Sequence, residues 1–216
     1  MSDPPAGKPR GFFLVIEGAD AAGKTTLARR LGDECRRQGW RVKSVREPGG
    51  TLFSEKVRRI LLDPALSMTA RSELFLYLAA RAQLVEDVIR PALRCGDLVI
   101  ADRFSLSTFA YQIGGRGLPA RAVLSAESLA RAGLTPDLTI LLTVSARQSA
   151  DRRRGTERKL DRIEREPPAF FRAVRAEYEL RGRNRRGITV IDSGLGADGV
   201  YERALGVLRR RLQPRS

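Results

Sequence analysis

The sequence contains no histidine, so the chemistry of the protein uses no imidazole as a proton carrier or metal ligand. Its two cysteines, Cys35 and Cys95, are far apart, and two isolated thiols form neither a disulfide framework nor a zinc site. No apolar run approaches the roughly 18 residues that a membrane-spanning helix needs. The apolar run at residues 12–16 is closed by Glu17 and is too short for a secretory signal. These absences predict a cytoplasmic protein without a membrane partner.

Lysine is also scarce, because only 5 of the 40 basic residues are lysine, although the formal net charge is +15. The arginines are scattered through most of the predicted helices. This distribution favours arginines spread over many solvent-exposed faces rather than gathered on a single binding surface. A basic surface can serve nucleic acid, lipid or small phosphorylated ligands, but no nucleic-acid-binding signature accompanies the charge. We therefore expect no nucleic-acid partner, and a further role of the basic surface stays open.

The sequence does contain apolar runs that alternate with helical patterns over 216 residues, enough for one α/β domain. Strands are predicted at residues 12–17, 41–46, 97–102, 138–144 and 187–191. Helices are predicted at residues 25–38, 54–62, 72–93, 120–132, 146–153, 167–180 and 200–212. We expect Pro91 to kink or break the long helix. The alternation predicts an α/β fold, a five-stranded parallel sheet with helices on both faces, after a flexible leader at residues 1–10 and within a single domain at residues 11–216.

Residues 18–25 fill every fixed position of the phosphate-binding loop G-x-x-x-x-G-K-[ST], after a predicted strand and before a predicted helix. Gly18 and Gly23 let the backbone curl so that successive N–H groups point at phosphate oxygens, and the helix dipole adds to their attraction. Lys24 supplies a charge between the β- and γ-phosphates, and the Thr25 hydroxyl is placed to bind Mg²⁺. This context predicts a P-loop NTPase fold. The predicted ATP-binding residues are Gly18, Ala19, Asp20, Ala21, Ala22, Gly23, Lys24 and Thr25.

The class of P-loop protein is narrowed by what surrounds the loop. The chain lacks the Asn-Lys-x-Asp motif of GTPases, and a motor or transport ATPase would be larger. A small P-loop domain with many loop arginines fits phosphoryl transfer between two nucleotides, because several anionic groups must be neutralised together. The residues alone leave open a P-loop binding or regulatory protein without catalysis that uses its basic surface on nucleic acid.

Five sequence blocks, in order along nearly the whole chain, narrow the class further. They are Asp20 in the P-loop, Val-Arg-Glu-Pro-Gly-Gly-Thr at 45–51, Ala-Ala-Arg at 79–81 followed by a Gln-Leu-Val-Glu-Asp-Val-Ile-Arg-Pro run, Asp-Arg-Phe at 102–104 with Ser-Thr-Phe-Ala-Tyr-Gln at 107–112, and Leu-Asp-Arg-Ile-Glu at 160–164. Together these blocks resemble the bacterial thymidylate kinase family, a nucleoside monophosphate kinase type of P-loop fold. The last block resembles the end of that family's lid.

The resemblance implies that ATP, with Mg²⁺, phosphorylates dTMP to dTDP for dTTP synthesis, and that the protein is a homodimer. Strictness for dTMP over dUMP or another monophosphate stays open. The P-loop offers no extra cation at its variable positions, so a lid at about residues 150–165 is expected to close an arginine onto ATP. The catalytic residues implied are Lys24, Arg46, Arg103, Arg152 and Arg154.

The resemblance also gives the acceptor residues their roles. Arg46 and Arg103 are expected on the acceptor phosphate, Asp20 opposite the deoxyribose 3′-OH, and Tyr77 stacked on thymine where the family usually has Phe. The substrate-binding residues implied are Asp20, Arg46, Pro48, Tyr77, Arg81, Arg103, Ser107, Thr108, Tyr111, Gln112, Asp161 and Glu164. Asp102 is expected beside Thr25 at the metal. Simpler alternatives are a solvated Arg46, a core aromatic at Tyr77, and a helix N-cap at Asp102.

Two departures from the family pattern concern backbone shape. Ala21 stands where Gly is common, which narrows the allowed backbone angles of the P-loop. Ile113 replaces a usual Gly, and we expect it to reshape the segment before Gly114. Neither change removes a group that the chemistry needs.

Overall fold

The computed structural model describes residues 10–145, 148, 160–183 and 185–212. A five-stranded sheet forms its centre, with the strand order β2-β3-β1-β4-β5, and every neighbouring pair is parallel. The strands are β1 (Phe12–Gly18), β2 (Val42–Arg46), β3 (Leu98–Asp102), β4 (Leu138–Thr143) and β5 (Ile188–Asp192). The predicted α/β fold with five parallel strands is confirmed.

Helical segments connect the strands, because a parallel neighbour can be reached only by a crossover. They are α1 (Lys24–Arg37), α2 (Leu52–Leu62), α3 (Ala70–Leu84), α4 (Arg90–Arg94), α5 (Ser105–Thr108), α6 (Ala120–Arg131), α7 (Pro168–Gly182) and α8 (Gly196–Arg211). Two π-helical turns occupy Val85–Ile89 and Phe109–Gly115, and a 3₁₀ turn occupies Ser193–Leu195. Across the described segments, every helix is too short or too polar to cross a membrane. Most of the predicted helix at 146–153 and of the leader at 1–10 lies outside the described residues, and the single-domain division stays a prediction.

The central strand β1 supplies side chains to both layers of the core. Leu14 and Ile16 pack on one face against α1 and α8, in a cluster that includes Leu31. Phe13 and Val15 pack on the opposite face against the end of α3, the turn that follows it, and α4. Successive side chains of a strand point to opposite faces, so a strand covered on both sides reads as a continuous apolar run. This explains why β1 could be recognised without any alternation of polar residues.

The long helix predicted at residues 72–93 changes its hydrogen-bond register before Pro91. Helix α3 passes into the π-helical turn at Val85–Ile89, where the Arg90 N–H donates to the Val85 carbonyl, and α4 follows. Pro91 has no N–H to donate, and its ring crowds the carbonyl four residues earlier. A wider turn relieves both problems, so the expected kink or break takes the form of a π-helical turn.

The carboxyl ends of three neighbouring strands bring the predicted motifs to one edge of the sheet. In the strand register, Asp102 of β3 lies beside Ile16 of β1 on one side and Arg46 of β2 on the other. The P-loop begins where β1 ends, and Glu47 and Arg103 directly follow β2 and β3. Ligands of such sheets bind beyond the carboxyl ends of the strands, so the candidate site lies at this edge.

Candidate functional site

The loop between β1 and α1 has glycine where its backbone requires it. Gly18 and Gly23 have φ of 140° and 93°, and a Cβ on Gly18 would lie 2.4 Å from the Leu142 carbonyl oxygen. Ala21 also has a positive φ, 61°, which costs an L-residue about 1–2 kcal/mol. Helix α1 begins at Lys24, so its free N–H groups and the positive end of its dipole lie at the loop. This arrangement is an anion-binding turn.

Lys24 is folded into the loop that it belongs to. Its side chain is buried, and Nζ donates to the Ala19 carbonyl oxygen at 2.8 Å. Burial, followed by the positive charge of Arg103, lowers the pKa of Lys24 to about 8. A bound polyphosphate would add negative charge beside Lys24 and favour the charged ammonium.

Thr25 and Asp102 meet across the edge of the sheet. Thr25 Oγ1 donates to Asp102 Oδ2 at 2.5 Å, although the two residues lie on different elements. Helix α5 has no side-chain cap, so the alternative of Asp102 as a helix N-cap is not supported. In the described part of the chain, no cluster of three or more His, Cys, Asp or Glu residues could hold a metal. Two oxygen donors fit Mg²⁺, which usually keeps several waters and binds substrate phosphates.

A cavity of about 120 Å³ adjoins the P-loop. Apart from Arg46, every predicted substrate-binding residue lines it. The lining residues are Asp20, Glu47, Pro48, Arg58, Leu62, Tyr77, Arg81, Arg103, Ser107, Thr108, Tyr111, Gln112, Asp161, Ile163 and Glu164. The predicted residues come from five separated parts of the chain, and the fold brings them to a single space.

Arg103 is fixed in place between the P-loop and α7. Its backbone has φ of 77°, directly after β3. Nη1 donates to Gly18 O at 3.1 Å, to Ser107 Oγ at 3.0 Å and to Tyr178 Oη at 3.2 Å, and Nη2 forms an ion pair with Asp20. Residues whose backbone angles lie in sparsely populated regions cluster at functional sites, where the surrounding structure holds them in place. The guanidinium is therefore presented to the cavity in one position.

Asp20 joins the P-loop to the cavity. One of its carboxylate oxygens pairs with Arg103, and the other accepts a hydrogen bond from Tyr111 Oη at 2.8 Å. Burial acts to lower the pKa of Arg103. The electrostatic effects of Tyr111 and Asp20 outweigh burial and hold this pKa well above its ordinary value. The site thus contains a permanently charged arginine whose counter-ion belongs to the phosphate loop.

Arg81 lies at the inner wall of the cavity in a fully buried polar network. Its Nε and Nη2 both donate to Glu47 Oε2, at 2.8 and 2.5 Å, and Nη1 donates to Thr108 Oγ1 at 2.8 Å. Glu127 adds a second carboxylate 3.5 Å from Nη1. Burial raises the pKa of Glu47 although the charge of Arg81 acts to lower it. Within the described residues, Glu47 Oε1 has no hydrogen-bond partner.

Tyr77 lies one helical turn before Arg81 on α3 and lines the same cavity. Burial raises the pKa of the Tyr77 phenol. Its ring also packs beside the buried Val57 and Leu61 of α2. Tyr77 is therefore both part of the core and part of the cavity wall, and its stacking on thymine stays a prediction.

Arg46 does not reach the cavity. Its side chain is 57% exposed, and Nη2 lies 3.3 Å from Glu55 Oε2. Its role on the acceptor phosphate stays a prediction. Arg58, which the sequence analysis missed, lines the cavity instead and donates to Pro48 O at 3.0 Å. A signal was available, because Arg58 follows the buried Ser54 by four residues, on the same face of α2.

Glu17 is a second residue that the sequence analysis passed over. Although it ends an apolar run, its side chain is fully buried and accepts hydrogen bonds from Phe104 N at 2.8 Å and from Ser107 N and Oγ at 3.1 and 2.6 Å. Burial raises the pKa of Glu17 against these hydrogen bonds. The carboxylate anchors the turn after Arg103. A charged residue within a strand buried on both faces was the signal for such a role.

The end of the predicted lid forms a turn beside the cavity. Asp161 Oδ1 accepts hydrogen bonds from the backbone N–H groups of Ile163 and Glu164, at 3.0 and 2.9 Å. Asp161, Ile163 and Glu164 all line the cavity. Arg152 and Arg154 lie outside the described residues, so their role on ATP stays a prediction.

Comparison with known proteins gives a consistent result. A family model described as thymidylate kinase matches residues 16–202. The chain is 43% identical over 207 residues to a thymidylate kinase of Chromohalobacter salexigens (94% of this chain, 97% of the relative). It is 37% identical over 202 residues to one of Thermosipho africanus (94% of this chain, 100% of the relative).

A solved structure agrees with these sequence matches. The crystal structure of thymidylate kinase from Ehrlichia chaffeensis superposes with a TM-score of 0.74 at 28% sequence identity, and covers 93% of this chain and 99% of that one. The family model spans the P-loop, the cavity and the start of α8, so the match includes every described element of the site. The chain belongs to the thymidylate kinase family.

Proposed function

We propose that this protein transfers the γ-phosphoryl group of ATP to dTMP and releases dTDP for dTTP synthesis in the cytoplasm. Membership of the thymidylate kinase family supports the reaction. The observation that carries it for this chain is the pairing of Asp20 with Arg103. Asp20 belongs to the P-loop and also lines the cavity, so a donor on the loop and an acceptor in the cavity would meet at this ion pair.

The acceptor would lie along the cavity with its phosphate towards the arginines. Arg103 and Arg58 offer positive charge at the cavity, and Arg46 lies at the adjoining end of β2. Guanidinium groups bind phosphate with paired N–H donors, which orients as well as attracts it. At the other wall, Tyr77 offers a ring for stacking and Arg81 a donor for a base carbonyl. Ser107, Thr108, Tyr111 and Gln112 add polar groups between these ends.

The donor side rests on the P-loop. Lys24 and the N–H groups at the start of α1 would bind the phosphates, and Thr25 with Asp102 would hold Mg²⁺. Bound Mg²⁺ neutralises phosphate charge. The loop carries no further cation at its variable positions, so Arg152 and Arg154 of the lid are proposed to supply one. Catalysis here consists of positioning and charge stabilisation, which agrees with the absence of histidine.

A coupled assay with ATP and single monophosphates tests the proposal. We expect dTMP to be the preferred acceptor, dUMP to be weaker, and dCMP and purine monophosphates to be poor. Equal or greater turnover with a purine monophosphate would contradict the assignment of dTMP. Salt-sensitive DNA binding without any phosphoryl transfer would favour the non-catalytic alternative instead.

A homodimer is proposed from the family and from exposed apolar side chains. Helix α3 packs between α2 and α6, and each of these helices exposes a large apolar residue. Leu52, Phe75 and Leu129 are 77%, 63% and 82% exposed. Exposed apolar groups on neighbouring helices are typical of a surface that a partner covers. The second copy of this chain is the partner we propose.

A further inference from the structure

Glu73 is a buried carboxylate near the start of α3 that has no part in the reaction proposed above. Its side chain is 1% exposed. Oε1 accepts hydrogen bonds from Gln112 Nε2 at 3.0 Å and Arg116 Nε at 2.9 Å. Oε2 accepts hydrogen bonds from Arg116 Nη2 at 2.8 Å and Arg162 Nη2 at 2.6 Å. One carboxylate therefore holds three side chains from two separate segments, and both segments border the substrate cavity.

Glu73 stays negatively charged in this environment. Burial acts to raise its pKa, but the hydrogen bonds and charge of Arg116, and then those of Arg162, outweigh burial and hold the pKa below its ordinary value. A charged carboxylate can only accept hydrogen bonds. Gln112 must therefore turn its amide nitrogen towards Glu73, and its Oε1 is left as the acceptor for a ligand.

The orientation of Gln112 bears on which base the cavity accepts, because Gln112 lines the cavity. Thymine carries an imide N–H between its two carbonyl groups, and cytosine carries a lone pair at the same ring position. An amide oxygen held outward accepts a hydrogen bond from thymine but faces another acceptor in cytosine. A site built to pair one hydrogen-bond pattern rejects the opposite pattern strongly, because the mismatch leaves buried polar groups unpaired.

Arg162 connects the same carboxylate to the turn at the end of the predicted lid. Its Nε donates to Leu61 O at 2.8 Å, and its backbone N–H donates to Leu62 O at 3.1 Å. The neighbouring residues Asp161 and Ile163 line the cavity. Glu73 thus ties this turn to α3, where Tyr77 follows one helical turn later on the same face.

We propose that Glu73 is a positioning residue that gives the acceptor site its selectivity for thymine over cytosine. It fixes the amide of Gln112 with the oxygen towards the base, and it holds the turn that contains Arg162 against the cavity. This inference rests on the proposed function, because it concerns the base of the same acceptor. Among the described residues, the hydrogen bonds of Glu73 do not include the P-loop, so its effect reaches the reaction through Gln112 and Arg162.

The test compares Glu73→Gln with the wild-type enzyme. The substitution preserves size but removes the charge and places an N–H₂ group among side chains that also donate, so Gln112 becomes free to turn over. We expect the preference for dTMP over dCMP in kcat/KM to fall about tenfold or more, the loss that follows from one hydrogen bond to a charged group. The KM for ATP should stay unchanged. Isothermal titration of dTMP and dCMP should show the same loss of preference in binding.

A matched control carries the same chemical change outside the cavity. Glu86→Gln removes the i,i+4 partner of Arg90 at a side chain that is 59% exposed, and should leave all these constants unchanged. A Glu73→Gln enzyme that folds and retains the wild-type preference for dTMP would overturn the inference. If the wild-type enzyme phosphorylates neither nucleotide, the proposed function fails, whereas the titrations still decide whether Glu73 sets the base preference.

A second variant keeps the inference testable if Glu73→Gln does not fold. Arg162→Gln removes the ion pair with Glu73 and the Nε hydrogen bond to Leu61 O, and it leaves Gln112 and Arg116 on Glu73. We expect a several-fold higher KM for dTMP, an unchanged KM for ATP and an unchanged preference for dTMP over dCMP. Wild-type KM for dTMP in this variant, or a lost preference for dTMP, would contradict the separate roles of the two contacts.

Discussion

Lys24 is a buried ammonium at the turn that binds phosphate, and its surroundings make nucleotide binding depend on pH. Burial and the charge of Arg103 lower its pKa to about 8. Below that pH the side chain is a cation in the free enzyme, and above it the neutral amine attracts phosphate weakly. Asp20 and Arg103 form an ion pair at the same edge of the sheet, so Lys24 is the cation of the P-loop whose ionisation governs its attraction for phosphate.

We therefore predict that kcat/KM for ATP falls as the pH rises through about 8, because this ratio reports the ionisation of the free enzyme. Lys24→Met should lower kcat/KM for ATP by about 10²-fold or more at neutral pH and should abolish this decline. The measurement is a pH profile of initial rates at low ATP. Lys43→Met on β2, where the side chain is exposed, should behave as the wild type. A Lys24→Met enzyme with wild-type kcat/KM would contradict the role.

Ala21 carries a stability cost within the same loop. Its φ of 61° disfavours any residue with a Cβ, whereas glycine adopts this conformation freely. We predict that Ala21→Gly stabilises the protein by up to about 1 kcal/mol, after the extra freedom of glycine in the unfolded chain is subtracted. Chemical unfolding measures the change.

The neighbouring Ala22 provides the control for this prediction. It is 2% exposed and is not among the residues with positive φ. Ala22→Gly should therefore destabilise by about 1 kcal/mol, through lost burial and added chain freedom. Equal effects of the two substitutions would show that the sign of φ does not govern stability in this loop.

At the scale of elements, the π-helical turn at Phe109–Gly115 packs closely on α7. A Cβ on Gly114 would lie 2.8 Å from both the Ala173 carbonyl oxygen and Glu177 Cβ. Ile113, which replaces a usual glycine of the family, joins the apolar cluster of Leu74 on the other side of the turn. The turn is thus held between two helices, with Gly114 against α7 and Ile113 towards α3.

We predict that Gly114→Ala destabilises the protein by about 1–3 kcal/mol, because backbone atoms must move apart to admit the methyl group. The KM for dTMP should rise as well, since Tyr111 and Gln112 on the same turn line the cavity. Thermal unfolding and steady-state kinetics measure the two effects. Gly206→Ala on α8 is the matched control: its nearest neighbour would be Arg210 Nη1 at 3.7 Å, so it should stabilise by about 0.5–1 kcal/mol. A Gly114→Ala enzyme with wild-type stability and unchanged KM would show that α7 moves aside to make room for the methyl group.

The sequence allowed most elements of the fold to be predicted, because burial leaves periodic patterns along the chain. The runs that became β1, β3 and β4 are apolar without alternation, and each lies between two layers. The P-loop could be recognised because its chemistry requires fixed spacings in one segment. The strand order, with β3 between β1 and β2, follows from pairing at a distance and left no such local signal.

Individual contacts of the site were less predictable, since they depend on where elements meet. Arg46 pairs with Glu55 because α2 lies beside the end of β2, and Arg58 of the same helix takes a place at the cavity. Glu47 follows a strand, where a carboxylate is usually solvated, and is buried here through its contact with Arg81. Such pairings across long separations are decided by packing rather than by local sequence.

At the scale of the whole molecule, the exposed apolar side chains of α2, α3 and α6 lead to a prediction about assembly. Phe75→Glu places a charge in the middle of these helices and should convert the proposed dimer to a monomer, because a buried unpaired charge is costly. Sedimentation measures the change in mass. Leu180→Glu on α7, where the side chain is 65% exposed, should leave the mass unchanged. A wild-type protein that sediments as a monomer would contradict the homodimer itself.

The unpaired oxygen of Glu47 has a consequence for inhibitor design. Glu47 lines the cavity, and its buried Oε1 has no hydrogen-bond partner among the described residues. The described protein groups therefore leave this acceptor unsatisfied. A nucleoside analogue with an added amino group that reaches Glu47 should bind roughly tenfold more tightly than its N-methylated counterpart, which lacks the donor. The ratio of the two inhibition constants measures the gain. Equal constants would show that the oxygen is out of reach, and selectivity would then have to come from the thymine ring alone.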